Sequence, residues 1–108
     1  GSLDELCRFH GLPGKPGVAG NEVEGLLQAG RFDELHAYNV TDVLQTWLLF
    51  LHVQIRSGAL TRDAAAESAR AAIALTRSRV ANRLAEGGAA RQLLEGCLDG
   101  CSAAPIAQ

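Results

Sequence analysis

Two residues in the first half of the chain have the types and spacing of a catalytic pair. Tyr38 and Asp42 stand four apart in the run HAYNVTDVLQTWLLF at 36–50, and on a helix that spacing stacks one side chain over the other. A phenolic hydroxyl, which donates and accepts hydrogen bonds, and a carboxylate, which accepts, are then aimed from one face. Val43, Leu44, Trp47, Leu48 and Leu51 follow. These apolar positions recur at three- and four-residue intervals and predict a buried stripe. Two polar groups at the end of such a rod suit catalysis, and they equally suit the end of a core helix.

Other reactive side chains offer less. Cys7, Cys97 and Cys101 are odd in number and cannot all pair within the chain. Cys97 and Cys101 fall on one helix face without the close histidine or cysteine partners of a zinc site, so all three read as buried or half-buried thiols. Lys15 lies in a loop rich in glycine and proline and could reach a phosphate. It lacks the glycine–lysine–serine/threonine pattern of a phosphate-binding loop, and a solvated lysine is the expectation. His10, His36 and His52 show no nucleophile–base spacing and read as packing residues. Arg62, Arg70, Arg77, Arg79 and Arg83 share much of one helix side, but Asp63, Glu67 and Glu86 interrupt the charge, which predicts a solvated face rather than a nucleic-acid stripe.

The elements that must position these groups are helical. A length of 108 residues is one domain or a piece of one, and a net charge of −2 with a pI near 5.9 gives no general attraction to nucleic acid. No apolar run is long enough to cross a membrane and no secretory pattern opens the chain, so a cytoplasmic location is expected. A short helix is predicted over 2–10, capped by Ser2, with Leu3, Leu6, Cys7 and His10 on one side and Gly11 as its stop. The glycines and prolines of 12–20 make a loop. Asn21 caps a second helix ending at Gly30, with Val23, Leu26 and Leu27 facing inward.

The longest helix is predicted over about 31–57, because neither glycine nor proline occurs until Gly58; at ~1.5 Å per residue it spans about 39 Å. Its segment WLLFL at 47–51 is apolar on every side and predicts cover on more than one face. Thr61 and Asp63 cap a fourth helix running to about 86, whose buried side combines small residues with Ile73, Leu75, Val80 and Leu84. Gly87 and Gly88 break it before a last helix over 89–98, and 100–108 reads as a frayed tail. No segment alternates as a strand does. The expectation is an all-α fold, a small bundle of four to five helices around the helix at about 31–57.

The block SLDELCRFHGLPGK, a helix ending in glycine, and HAYNVTDVLQTWLLFLHVQIRSG together resemble the C-terminal part of the PolB-like branch of the DnaQ-type (DEDDy) 3′-to-5′ exonucleases. The resemblance covers about residues 2–58, and Leu12-Pro13-Gly14-Lys15 and YNVTDVL at 38–44 are its most specific elements. It implies that the chain is the C-terminal helical portion of a ribonuclease H-like exonuclease, without the β-sheet. Residues 1–58 would carry the third exonuclease motif and 59–108 would be a helical extension. It further implies phosphodiester hydrolysis on single-stranded DNA or another nucleic acid with Mg²⁺ or Mn²⁺ held by four carboxylates, Asp42 being one metal ligand and Tyr38 orienting the attacking water. His36 does not replace Tyr38, because the sister pattern H-x-x-x-x-D would need aspartate at Thr41.

The first motif of that family, D-x-E, occurs nowhere in the sequence. One aspartate and one tyrosine cannot hold two hard cations, so the chain is expected to be a fragment that binds no metal alone and is inactive in isolation. The apolar excess predicts a homodimer through Trp47, Leu48, Phe50 and Leu51. The alternative is a small self-associating helical interaction or regulatory module without catalytic activity, in which Tyr38 is a surface or core-edge residue and Asp42 a solvated acid or cap.

Overall fold

A computed structural model describes residues 3–14 and 20–103. They form five α-helices: α1 (Leu3–Phe9), α2 (Gly20–Gln28), α3 (Phe32–Arg56), α4 (Arg62–Arg79) and α5 (Ala89–Ala103), with a 3-10 turn at Ala81–Arg83. No strand occurs among the described residues. The architecture is the expected all-α bundle, with α3 packed against each of the other helices and most extensively against α5.

The register of α3 explains this centrality. Ala37, Thr41, Leu44, Gln45, Leu48 and Leu51 are its buried residues, and their three- and four-residue steps place them on one side. From α5, Ala90, Leu94, Cys97, Leu98 and Cys101 face them with the same periodicity. Leu48, Leu51, Leu94 and Leu98 are nearly or fully inaccessible, and each contributes about 1.5–3 kcal/mol by leaving water. From α4 the buried residues are Ala65, Ala66 and Ala69, small enough for two backbones to approach.

Helix ends follow their local chemistry. Gly58 takes φ +81°, which glycine adopts without a Cβ clash. There Gly58 N–H donates to Ile55 O (3.1 Å) and Ala59 N–H to Gln54 O (2.9 Å), closing the end of α3. Gly11 ends α1 in the same way, with Leu12 N–H donating to Cys7 O at 2.8 Å. The Thr61 hydroxyl accepts from Ala64 N–H at 3.1 Å, the N-cap expected for α4. Lys15 and Ser2, and the side chains of Leu3, Asn21 and Val23, lie outside the described residues.

Several expectations are corrected. Val43 is 70% and Trp47 42% exposed, because the core line from Ala37 to Leu51 turns both onto the other side of α3. Conversely, Leu48 and Leu51 belong to the chain's own core and are not available to a homodimer interface. Trp47 and Phe50 remain outside it, stacked on each other with centroids 5.4 Å apart. Leu6, Leu27 and Leu75 are exposed rather than inward. Ile73, Val80 and Leu84 are half-buried and pack against the core beside the fully buried alanines of α4. That helix ends at Arg79, where Val80 leaves helical geometry at φ −122° and ψ −64°, rather than near 86. The last helix continues past 98 to Ala103, since Cys101 has a buried seat beside Cys97.

Candidate active site

Tyr38 and Asp42 occupy successive turns of α3, Tyr38 half-buried and Asp42 exposed. The buried residues Ala37 and Thr41 alternate with them along the helix. The Thr41 hydroxyl donates to the Tyr38 carbonyl at 2.7 Å, and the Thr46 hydroxyl donates to the Asp42 carbonyl at 2.8 Å. The pair therefore sits on backbone fixed by packing on one side, with the carboxylate open to solvent on the other.

One turn beyond Asp42, Gln45 is 3% exposed. Gly14 N–H donates to its Oε1 and its Nε2 donates to the Gly14 carbonyl, both at 2.7 Å. Buried backbone groups need such partners, and a carboxamide supplies the donor and the acceptor together. Leu12 is buried at 4%, and Pro13 lies so close to Gly100 that a Cβ there would come within 2.5 Å of the Pro13 Cγ. The Leu12–Pro13–Gly14 segment is thus wedged between α3 and α5 and tied to α3. Tyr38, Asp42 and Gln45 are spaced i, i+4 and i+7, along one edge of the helix. Sequence reasoning missed Gln45, although a carboxamide in the register of Thr41 and Leu48 was its visible signal.

Among the described residues, no three or more His, Cys, Asp or Glu side chains converge to hold a metal ion. The donor set around Asp42 therefore does not match a two-cation centre, which needs several oxygen ligands. Asp33 and Glu34 lie at the start of α3, where the Arg31 Nε donates to Glu34 Oε1 at 2.9 Å.

The remaining candidates pack or face solvent. A groove of about 450 Å³ between α3 and α4 is lined by His36, Asn39, Val43, Trp47 and Leu75, among others. A cleft of about 390 Å³ joins the starts of α3 and α5 between Arg31 and Arg91. Neither is lined by Tyr38 or Asp42. His10 and His52 meet ring to ring at a 33° tilt with centroids 4.7 Å apart, as packing residues would, whereas His36 is exposed. The His52 Nε2 is buried without a hydrogen-bond partner. Burial, then the neighbouring His10 and Arg56, hold its pKa below the ordinary imidazole value. Arg62, Arg70, Arg79 and Arg83 are exposed, and Arg77 meets Asp99 at 3.5 Å. No described helix is long and apolar enough to cross a membrane.

A family model described as a predicted 3′-5′ exonuclease related to the exonuclease domain of PolB matches residues 1–86 of the 108. No curated protein and no solved structure gave a significant match.

Proposed function

The chain belongs to the family of predicted 3′-5′ exonucleases related to the exonuclease domain of PolB, and we propose that it supplies the third motif of a metal-dependent exonuclease. Tyr38 and Asp42 are the functional residues of this reading. The observation that carries it is their placement on successive turns of the packed helix, with the Asp42 carboxylate exposed. Residues 1–58 end the exonuclease module and 59–108 extend it. The substrate is the 3′ end of a single-stranded DNA or related nucleic acid.

Divalent magnesium or manganese is the cation class for this chemistry. Asp42 is one ligand, and the other carboxylates come from outside the described residues, which gather no metal site of their own. Tyr38 contributes a hydroxyl one turn away, suited to holding a water by hydrogen bonds. On this reading the 108 residues are inactive alone. The test is release of label from a 3′-labelled single strand in Mn²⁺, comparing the natural translation product, the 108-residue chain and Asp42→Ala in each. Loss of label only from the natural product, abolished by Asp42→Ala, supports the reading.

The exposed line Val43, Trp47, Phe50 and Val53 favours a second reading. From 43 to 55 α3 carries no charged residue, so this face suits an apolar partner, whether the rest of the exonuclease or a second copy of the chain. Ultracentrifugation distinguishes the two, since only the second copy makes the mass concentration-dependent.

A further inference from the structure

Two titratable rings meet where α1 joins α3. His10 and His52 have centroids 4.7 Å apart at a 33° tilt, and the His52 Nε2 is buried without a hydrogen-bond partner. We propose that this contact is an acid-sensitive latch: protonation of the pair releases residues 3–14 from α3 while α3, α4 and α5 stay assembled. The latch is independent of the nuclease reading.

The charges around His52 favour the neutral ring. From α1 it meets His10, and the other titratable groups of that helix are the buried Cys7 and the exposed Glu5 and Arg8. Along α3, Arg56 follows one turn on. From α5 come the buried thiols Cys97 and Cys101, while the acid Asp99 is exposed and meets Arg77 of α4. The groups whose charge acts on His52 are His10 and Arg56, both cationic when charged, so both oppose a proton there.

The segment 3–14 has few attachments to lose. Its helix has seven residues, too few to persist alone, and Leu6 and Phe9 are exposed. It is held by the buried Cys7 and Leu12, by Pro13 against Gly100, by the histidine contact and by the Gln45 clamp on Gly14. In contrast, α3, α4 and α5 also pack on one another, so their assembly does not depend on α1. Because Gln45 continues the line of Tyr38 and Asp42, release also loosens the edge of α3 that bears them.

Proton linkage sets the size of the effect. Burial, then His10 and Arg56, hold the His52 pKa below the ordinary 6.5 in the closed form, and release returns it to that value. The closed form therefore has its full advantage above 6.5 and loses it as pH falls through the window beneath. The opening equilibrium rises by up to about tenfold per pH unit for each proton bound on release.

Amide hydrogen exchange of the chain, followed by mass spectrometry at pH 7.5 and 5.0 and corrected for the intrinsic change in exchange rate, tests the latch. Peptides spanning 3–14, where the Leu12 and Gly14 N–H groups are hydrogen-bonded, should lose protection at least about tenfold at the lower pH, and those of α3, α4 and α5 less than about twofold. His52→Phe and His10→Phe, which keep a ring that cannot titrate, should hold the protection of 3–14 within about twofold between the two pH values. Glutamine variants at both positions run in parallel guard against a fold that rejects one phenyl ring. Unchanged protection of 3–14 in the wild type, an equal loss across α3, α4 and α5, or an undiminished loss in the folded histidine variants overturns the proposal.

Discussion

Gln45 holds both backbone polar groups of Gly14, accepting from its N–H and donating to its carbonyl, each at 2.7 Å. This one side chain joins a loop that follows α1 to the edge of α3 bearing Tyr38 and Asp42. Gln45→Leu keeps the bulk and removes both bonds. With each of the two buried groups left unpaired costing about 1–3 kcal/mol, stability should fall by about 2–6 kcal/mol. Urea denaturation measures this, and a loss below about 0.5 kcal/mol would show that the clamp is not structural.

Gly100 and Gly96 form a matched contrast on α5. A Cβ at Gly100 meets Pro13 Cγ at 2.5 Å, whereas at Gly96 nothing lies within 4 Å. Gly96→Ala should stabilise by about 0.5–1 kcal/mol through helix propensity. Gly100→Ala should instead destabilise by about 1–3 kcal/mol, because the rigid proline ring must move. Thermal unfolding of the two variants gives opposite signs if Pro13 is seated as described.

Much of the fold was legible because it depends on local chemistry. Thr61 announced the start of α4, and Gly11, Gly30 and Gly58 announced ends. The apolar steps from Leu44 through Leu48 to Leu51 gave the core line of α3. Residues on the border of that line were not legible: Val43 and Trp47 satisfy the same spacing, and only the positions of α4 and α5 decide that they face outward. Likewise α5 continues through Gly100 because Cys101 is buried in the assembled core, a tertiary gain that overrides the glycine. In the candidate site, Tyr38 and Asp42 could be read from their spacing. The register of Gln45 with Thr41 and Leu48 was a visible sign of its burial, but its partner, the backbone of Gly14, is distant in sequence and left no sign.

His52 makes stability depend on pH. Its folded pKa lies below the ordinary 6.5 because of burial, with His10 and Arg56 opposing its charge. As pH falls through the window beneath 6.5, the unfolded chain binds a proton that the folded chain resists, so stability falls. Above that window this contribution is fully present. Urea midpoints from pH 7.5 to 5 should decline in the wild type and decline less in His52→Gln; equal slopes would contradict the assignment.

Thr61→Ala tests the entry to α4. Its hydroxyl accepts from Ala64 N–H at 3.1 Å, and removing an N-cap costs about 1 kcal/mol. Thr61→Ser, which keeps the oxygen, should remain within about 0.5 kcal/mol of the wild type in the same denaturation experiment.

The most direct test of the central claim is nuclease activity on a 3′-labelled single strand in Mn²⁺. The account predicts that the natural translation product releases label and that Asp42→Ala reduces release by about a thousandfold, the loss expected for a metal ligand. It predicts no release by the 108-residue chain alone. Undiminished activity of the Asp42→Ala natural product would contradict the assignment of Asp42, and digestion by the isolated chain would contradict the claim that further carboxylates must be supplied.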